Sequence, residues 1–372
     1  MPVVCGRCNE FRSRGGNFCG ACGDYLSVDA DGHRTGCERC DEFRSRGSNY
    51  CGACGVFLGA GTAPQAAFGK RGRDTAVFQA GLCIAAICSI VLVFELITAF
   101  RFSWDIFSAL GGYVGSIFII TPVPTAILSI SGAALQFYYV FLLAAMGVSV
   151  VYILCGAVGP LSRFARDRDS EAVKNTALFE MAVLFAALYA IQFAFILLVQ
   201  AAGVDTESPI DDSDLIALMY SLLNAAVWEE VVSRVLLIGV PMLFAGLIVK
   251  KEGAKWWRYL IGGFGMSRGV IIFIFFSAAM FGLAHVPGWD LWKFVPTFLF
   301  GLIAGYLFVK YGVYATIAMH FLTNYLMSSD WMFGDGGVTI GLVMFGVMIL
   351  GIPYVWVYSK RGFRYLRDSI TR

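Results

Sequence analysis

From about residue 77 onward the chain runs in long apolar stretches, separated by short breaks that are polar, basic or rich in glycine. A helix needs about 20 mainly apolar residues to cross the hydrocarbon of a bilayer. Stretches of that kind fall at 77–100, 134–156, 177–202, 216–249, 269–287, 292–311, 313–329 and 338–358, which predicts about eight transmembrane helices. Residues 106–130 are also apolar, but Gly111, Gly112, Gly115, Pro122 and Pro124 interrupt them, so this stretch is expected to be re-entrant or interfacial. The first 58 residues hold no such run and carry a different pattern altogether.

That pattern is a duplication. Residues 5–26 and 37–58 repeat one another, and each copy has the spacing C-x2-C-x10-C-x2-C. The cysteines are Cys5, Cys8, Cys19 and Cys22 in the first copy and Cys37, Cys40, Cys51 and Cys54 in the second. Tetrahedral zinc takes four thiolates at about 2.3 Å, and a two-residue gap lets both sulfurs of a knuckle face one ion. Gly23 and Gly55 follow the last ligand of each set, where a left-handed turn can aim backbone N–H groups at sulfur. Two structural zinc sites are therefore the expectation, with disulfide pairs or a redox-active CxxC as the alternatives. His33, between the copies, reads as an exposed turn residue, because both sites already have four ligands. Residues 59–75 read as a flexible linker ending in Lys70, Arg71 and Arg73.

Charge then gives direction. Basic residues cluster at Lys70/Arg71/Arg73, at Arg163/Arg166/Arg168, at Lys250/Lys251/Lys255/Arg258 and at Lys360/Arg361/Arg364/Arg367, whereas the segment with Asp205, Glu207, Asp211, Asp212 and Asp214 has none. Cytoplasmic loops carry the excess of Lys and Arg, so eight spans place every second loop, both termini and the ribbons in the cytoplasm of a multi-pass cell-membrane protein. The expected fold class is an all-α polytopic membrane protein preceded by two small zinc-ribbon modules. Its expected parts are ribbons at 1–58, linker at 59–75, membrane domain at 76–360 and tail at 361–372.

Composition agrees. Of the 372 residues, 58% are hydrophobic and 15% charged, against about 45–50% and about 25% in soluble domains. A water-soluble globule is excluded. The net charge of +2 removes the electrostatic case for nucleic-acid binding. Within residues 1–58, seven arginines balance seven acidic residues, so the ribbons read as a module that recruits a protein partner or substrate, with the repeated Phe-Arg-Ser-Arg as its contact surface.

Ionisable groups inside a span are costly, by about 2.5–3.5 kcal/mol on insertion scales, and are functional candidates for that reason. Glu95 and Glu180 fall near helix ends, where a carboxylate can reach the interface, and Cys83, Cys88 and Cys155 read as packing residues. The fourth span holds Trp228-Glu229-Glu230-Val231-Val232-Ser233-Arg234. Glu230 and Arg234 stand at i, i+4 and can pair on one face, while Glu229 points about 100° away and is left available as a general base. His285 stands one turn after Phe281, and His320 one turn before Asn324. Span boundaries place His285 closer to the outer face than Glu229 and His320, a mismatch in depth.

In this order on successive spans, Glu229-Glu230-xxx-Arg234, Phe281-xxx-His285 and His320-xxx-Asn324 resemble the three motifs of the CPBP intramembrane proteases, which include the type II CAAX prenyl endopeptidases. The resemblance covers about residues 215–330. It implies hydrolysis of a peptide bond in a membrane-associated protein or peptide. Glu229 and His285 would activate water, His320 and Asn324 would stabilise the oxyanion, Glu230 and Arg234 would fix the helix, and Phe281 would wall the site. One glutamate with two histidines is also a catalytic zinc ligand set, so a catalytic metal stays open, although the HExxH spacing of zincins is absent. The alternatives from other classes are a membrane transporter, with the buried carboxylates and histidines as an ion path, and a non-enzymatic adaptor working through its ribbons.

Overall fold

The computed structural model describes residues 65–206, 214–249, 255–327 and 335–370. The eight ribbon cysteines, Cys5, Cys8, Cys19, Cys22, Cys37, Cys40, Cys51 and Cys54, and His33 lie outside the described residues. The chain divides into two units between Ala76 and Val77, and the account below concerns the second.

Elements follow in the order α1 (Gln65–Arg101), α2 (Ser103–Leu110), β1 (Val114–Ile120), β2 (Pro124–Ser131), α3 (Gly132–Asp167), α4 (Ser170–Lys174) and α5 (Ala177–Ala201). Next comes a long rod made of α6 (Leu215–Asn224), two π-helical segments (Ala225–Glu229 and Val231–Gly239) and α7 (Val240–Val249). It is followed by α8 (Trp256–Ile261), α9 (Arg268–Trp289), a 3-10 turn (Leu291–Lys293), α10 (Phe294–Lys310), α11 (Val313–Met327) and α12 (Asp335–Ile370). The helical backbone of α1 begins at Gln65, within the stretch that reads as linker.

Among the described residues, seven helices are long and apolar enough to cross a membrane: 75–101, 132–167, 177–201, 215–247, 268–289, 291–310 and 338–367. The protein is a mostly helical, multi-pass membrane protein. Large apolar side chains such as Ile90, Phe137, Val148, Ile272 and Leu342 are exposed on these helices, as expected where the surroundings are lipid rather than water. Cys88 is buried, and Cys83 and Cys155 are on the exposed surface.

The eighth predicted span, 313–329, begins as α11 (Val313–Met327), and residues 328–334 after it lie outside the described residues. Ala315, Ala318, Met319, Phe321 and Leu322 on it are fully buried, so α11 is a central helix wrapped by protein, and its apolar run serves core packing. The all-α expectation needs correction, because β1 and β2 form an antiparallel hairpin running from Val114↔Ser131 to Ile120↔Pro124, with an irregularity at Ile117/Phe118. The glycines and prolines that break residues 106–130 leave two apolar pieces too short for a spanning helix, each containing β-branched residues that suit strands.

Close packing of α9 on α10 sets the position of the second candidate motif, Phe281-xxx-His285. A Cβ on Gly301 would sit 2.8 Å from the Ala278 Cα, and one on Gly282 would sit 2.9 Å from the Phe294 ring; the two helices approach to backbone contact only because both positions lack a side chain. Elsewhere, Glu180, in the first turn of α5, is 1% exposed. Its carboxylate accepts from Tyr306 (2.8 Å), Tyr311 (2.6 Å) and Tyr358 (3.1 Å) and pairs with Lys310. One carboxylate thus ties α5 to α10, α12 and the turn before α11. Tyr311 lies just beyond the α10 span, and burial together with the Glu180 charge pushes its hydroxyl above the usual phenol range, which keeps it a donor to that carboxylate. Glu95 is buried on α1, and neither of its carboxylate oxygens has a hydrogen-bond partner among the described residues.

Candidate active site

Glu229 ends the first π-helical segment, Glu230 follows it, and Arg234 lies in the second. π-helical turns are rare and concentrate at functional sites; here they occupy the stretch that carries the charges. Glu230 and Arg234 are fully buried, with Glu230 Oε2 accepting from Arg234 Nε at 3.0 Å. The pair reaches two other helices. Arg234 Nη1 donates to Ser277 Oγ on α9 at 2.9 Å, and that hydroxyl donates to the Ser233 carbonyl at 2.6 Å. Glu230 Oε1 meets His320 Nδ1 on α11 at 2.9 Å. The guanidinium carbon stands 5.1 Å from the centre of the Phe281 ring, a cation–π contact in desolvated surroundings.

Both histidine rings are held by the nitrogen that faces away from Glu229. His285 Nδ1 lies 2.8 Å from the Phe281 carbonyl, and a carbonyl only accepts, so Nδ1 carries a proton. The same argument applies to His320 Nδ1 against the Glu230 carboxylate. In each ring Nε2 is the nitrogen turned toward Glu229. Glu229 Oε2 is 3.9 Å from His285 Nε2 and 4.0 Å from His320 Nε2, and this oxygen is buried with no hydrogen-bond partner among the described residues. Separations near 4 Å are too long for direct bonds and suit pairs of hydrogen bonds to one oxygen held between them.

Aromatic rings enclose the histidines. Phe281 lies 4.7 Å from the His285 ring and 6.0 Å from that of His320, and Phe300 on α10 lies 4.9 Å from His320. Asn324 Nδ2 donates to the Leu222 carbonyl of α6 at 3.3 Å, which fastens α11 to the start of the rod. A cavity of about 640 Å³ opens beside Glu229 and His285, with Ala284, Pro287, Gly288 and Trp289 on the helical side and Phe118, Ile120, Val123 and Pro124 of the hairpin opposite. The hairpin is fixed there by Trp228 Nε1, which donates to the Phe118 carbonyl at 2.8 Å.

The three motifs therefore meet, and the mismatch in depth disappears: His285 stands against Glu229 near the C-terminal end of α9. Sequence reasoning missed Ser277, Phe300, Trp228 and the hairpin. A serine in an apolar span two turns before His285 is a signal that could have singled out Ser277; Phe300 offers none, since its role follows from which helix α10 packs against.

A metal among Glu229, His285 and His320 fits poorly. Tetrahedral zinc with ligands at about 2.0–2.1 Å holds its donor atoms about 3.3 Å apart, closer than the 3.9 and 4.0 Å here. Among the described residues, no three His, Cys, Asp or Glu side chains gather closely enough to hold a metal ion.

Residues 211–326 match the family model of the type II CAAX prenyl endopeptidases, Rce1-like. By that description the matched family consists of endopeptidases, and the matched segment carries Glu229, Glu230, Arg234, Phe281, His285, His320 and Asn324. Comparison with curated proteins found no match, and comparison with solved structures found none either.

Proposed function

We propose that this protein is an intramembrane endopeptidase that hydrolyses a peptide bond with water activated by Glu229. The observation that carries this reading is the convergence of one carboxylate oxygen, unpartnered among the described residues, on two imidazole Nε2 atoms, with Glu229 and His285 on the wall of a cavity. Glu229 takes a proton from a water molecule oriented by His285 Nε2, and the hydroxide attacks the substrate carbonyl. The carbonyl oxygen gains the negative charge, and this reading assigns its stabilisation to His320 and Asn324, as the family resemblance implies. A donating Nε2–H on His320 is the doubly protonated ring, which has Glu230 on one side and Glu229 on the other. The tetrahedral adduct collapses as the C–N bond breaks, and Glu229 returns its proton to the leaving amine. Glu230, Arg234 and Ser277 act as positioning residues, and Phe281 and Phe300 keep lipid from the rings.

The family description makes a prenylated C-terminal CAAX segment the first substrate class to try. A transporter reading has less support, since Glu229, Glu230, Arg234, His285 and His320 meet at one site beside one cavity. The N-terminal repeats, in this proposal, are two structural Zn(Cys)4 ribbons, on the cytoplasmic side with both termini, that recruit a partner or substrate. Comparing membrane peptides from cells carrying the wild type or Glu229→Gln tests the proteolytic role. Intact precursors should accumulate with the variant, and N-terminal mapping of the wild-type products should show one scissile bond; identical peptide profiles would overturn the proposal.

A further inference from the structure

The hairpin takes no part in the chemistry just described, yet it forms the wall facing it. β1 pairs with β2 on one side, and its Phe118 carbonyl is bonded by Trp228, the residue before Glu229. That part of β1 therefore turns backbone acceptors toward the rod. Residues two apart in a strand present their backbone groups on the same edge, so the N–H and C=O of Ile120 follow Phe118 in that direction. Phe118 and Ile120 also line the cavity shared with Glu229 and His285.

Three physical facts bear on what belongs against this edge. Unpaired strand edges in apolar surroundings leave backbone groups unsatisfied at a cost of several kcal/mol each. A helical peptide engages its own carbonyls in i→i−4 bonds, so a scissile carbonyl must leave the helix before water can attack it freely. An extended peptide laid beside an existing strand satisfies both requirements, gaining affinity from its backbone and selectivity from alternate side chains. At about 640 Å³ the cavity falls within the size range of ligand sites.

We propose that β1 is the docking strand for substrate: an extended peptide segment pairs with the edge of β1 at Ile120, beside the Phe118 carbonyl that Trp228 holds, which carries its scissile carbonyl to Glu229 and His285. Because Phe118, Ile120, Val123, Pro124 and Trp289 make the walls, alternate substrate side chains next to the scissile bond are apolar. The inference rests on the proteolytic reading of the site and adds the conformation and register in which substrate is held.

The test uses the full chain in proteoliposomes and a farnesylated nonapeptide ending in Cys-Val-Ile-Ala. With Glu229→Gln present to prevent turnover, a benzoylphenylalanine beside the cysteine should label residues 118–124; an adduct confined to other segments, or no adduct, overturns the docking proposal. With wild-type protein, replacing successive substrate amides by esters should lower kcat/KM about 2- to 12-fold at every second position, the loss of one backbone hydrogen bond. A uniform or absent effect again overturns it. Cleavage with the label elsewhere removes the docking strand and leaves the peptidase; label on the hairpin with no cleavage by wild type does the reverse.

Discussion

Two adjacent glutamates divide the work of the site because of what each can touch. Glu230 is enclosed by Arg234 and His320, and Glu229 faces a cavity with one oxygen unpartnered. The division between a paired and an available carboxylate was legible from the i, i+4 spacing. The Glu230–His320 and Arg234–Ser277 contacts were not, because they join residues 90 and 43 positions apart and depend on which helices become neighbours. Removing one member of a buried ion pair leaves the other charge without compensation, at a cost of about 3–5 kcal/mol. Arg234→Ala should therefore lose stability on that scale in thermal or denaturant unfolding in detergent, whereas Arg234→Lys should recover only part of it, since a lysine cannot reproduce the separate bonds to Glu230 and Ser277. Unchanged unfolding in Arg234→Ala would mean that the network is not structural.

At the scale of elements, apolar run length gave most of the span boundaries, since crossing the bilayer is a constraint each helix meets by itself. The hairpin was legible only as an interruption: glycine and proline show where a helix stops, but strand pairing depends on a partner and on the rod behind it. The π-helical turns left no sequence signal that spacing could read. Helix placement also has a direct consequence for chemistry, because His285 and Ser277 ride on α9 and α9 is held against α10 through Gly301. A valine at Gly301 must displace the Ala278 backbone, and a shift of about 1 Å at a reacting centre can cost about 100-fold in rate. Gly301→Val should thus depress kcat/KM by about that factor while the protein still inserts into membranes; full activity in the variant would show that the α9–α10 spacing does not set the site.

At the scale of the whole molecule, the proposed hydrolytic centre belongs to the membrane domain and the proposed metal modules to the N-terminal repeats. The modules remain an expectation from the cysteine spacing, which is specific enough to predict stoichiometry: purified full-length protein should contain two zinc ions per chain by elemental analysis, and Cys19→Ser with Cys22→Ser should reduce this to one. A value of two in the double variant would contradict the ligand assignment. The membrane domain carries the central claim, that Glu229 activates the attacking water and His285 orients it. General-base catalysis contributes about 10²- to 10⁴-fold, and neither side chain is part of the Glu230–Arg234 pair that holds the fold. The most direct measurement is the rate of peptide cleavage in proteoliposomes by wild type, Glu229→Gln and His285→Ala, each with matched thermal stability. The account predicts cleavage at a single bond by wild type, lowered at least 100-fold in both variants; cleavage at the wild-type rate by either stable variant would contradict it.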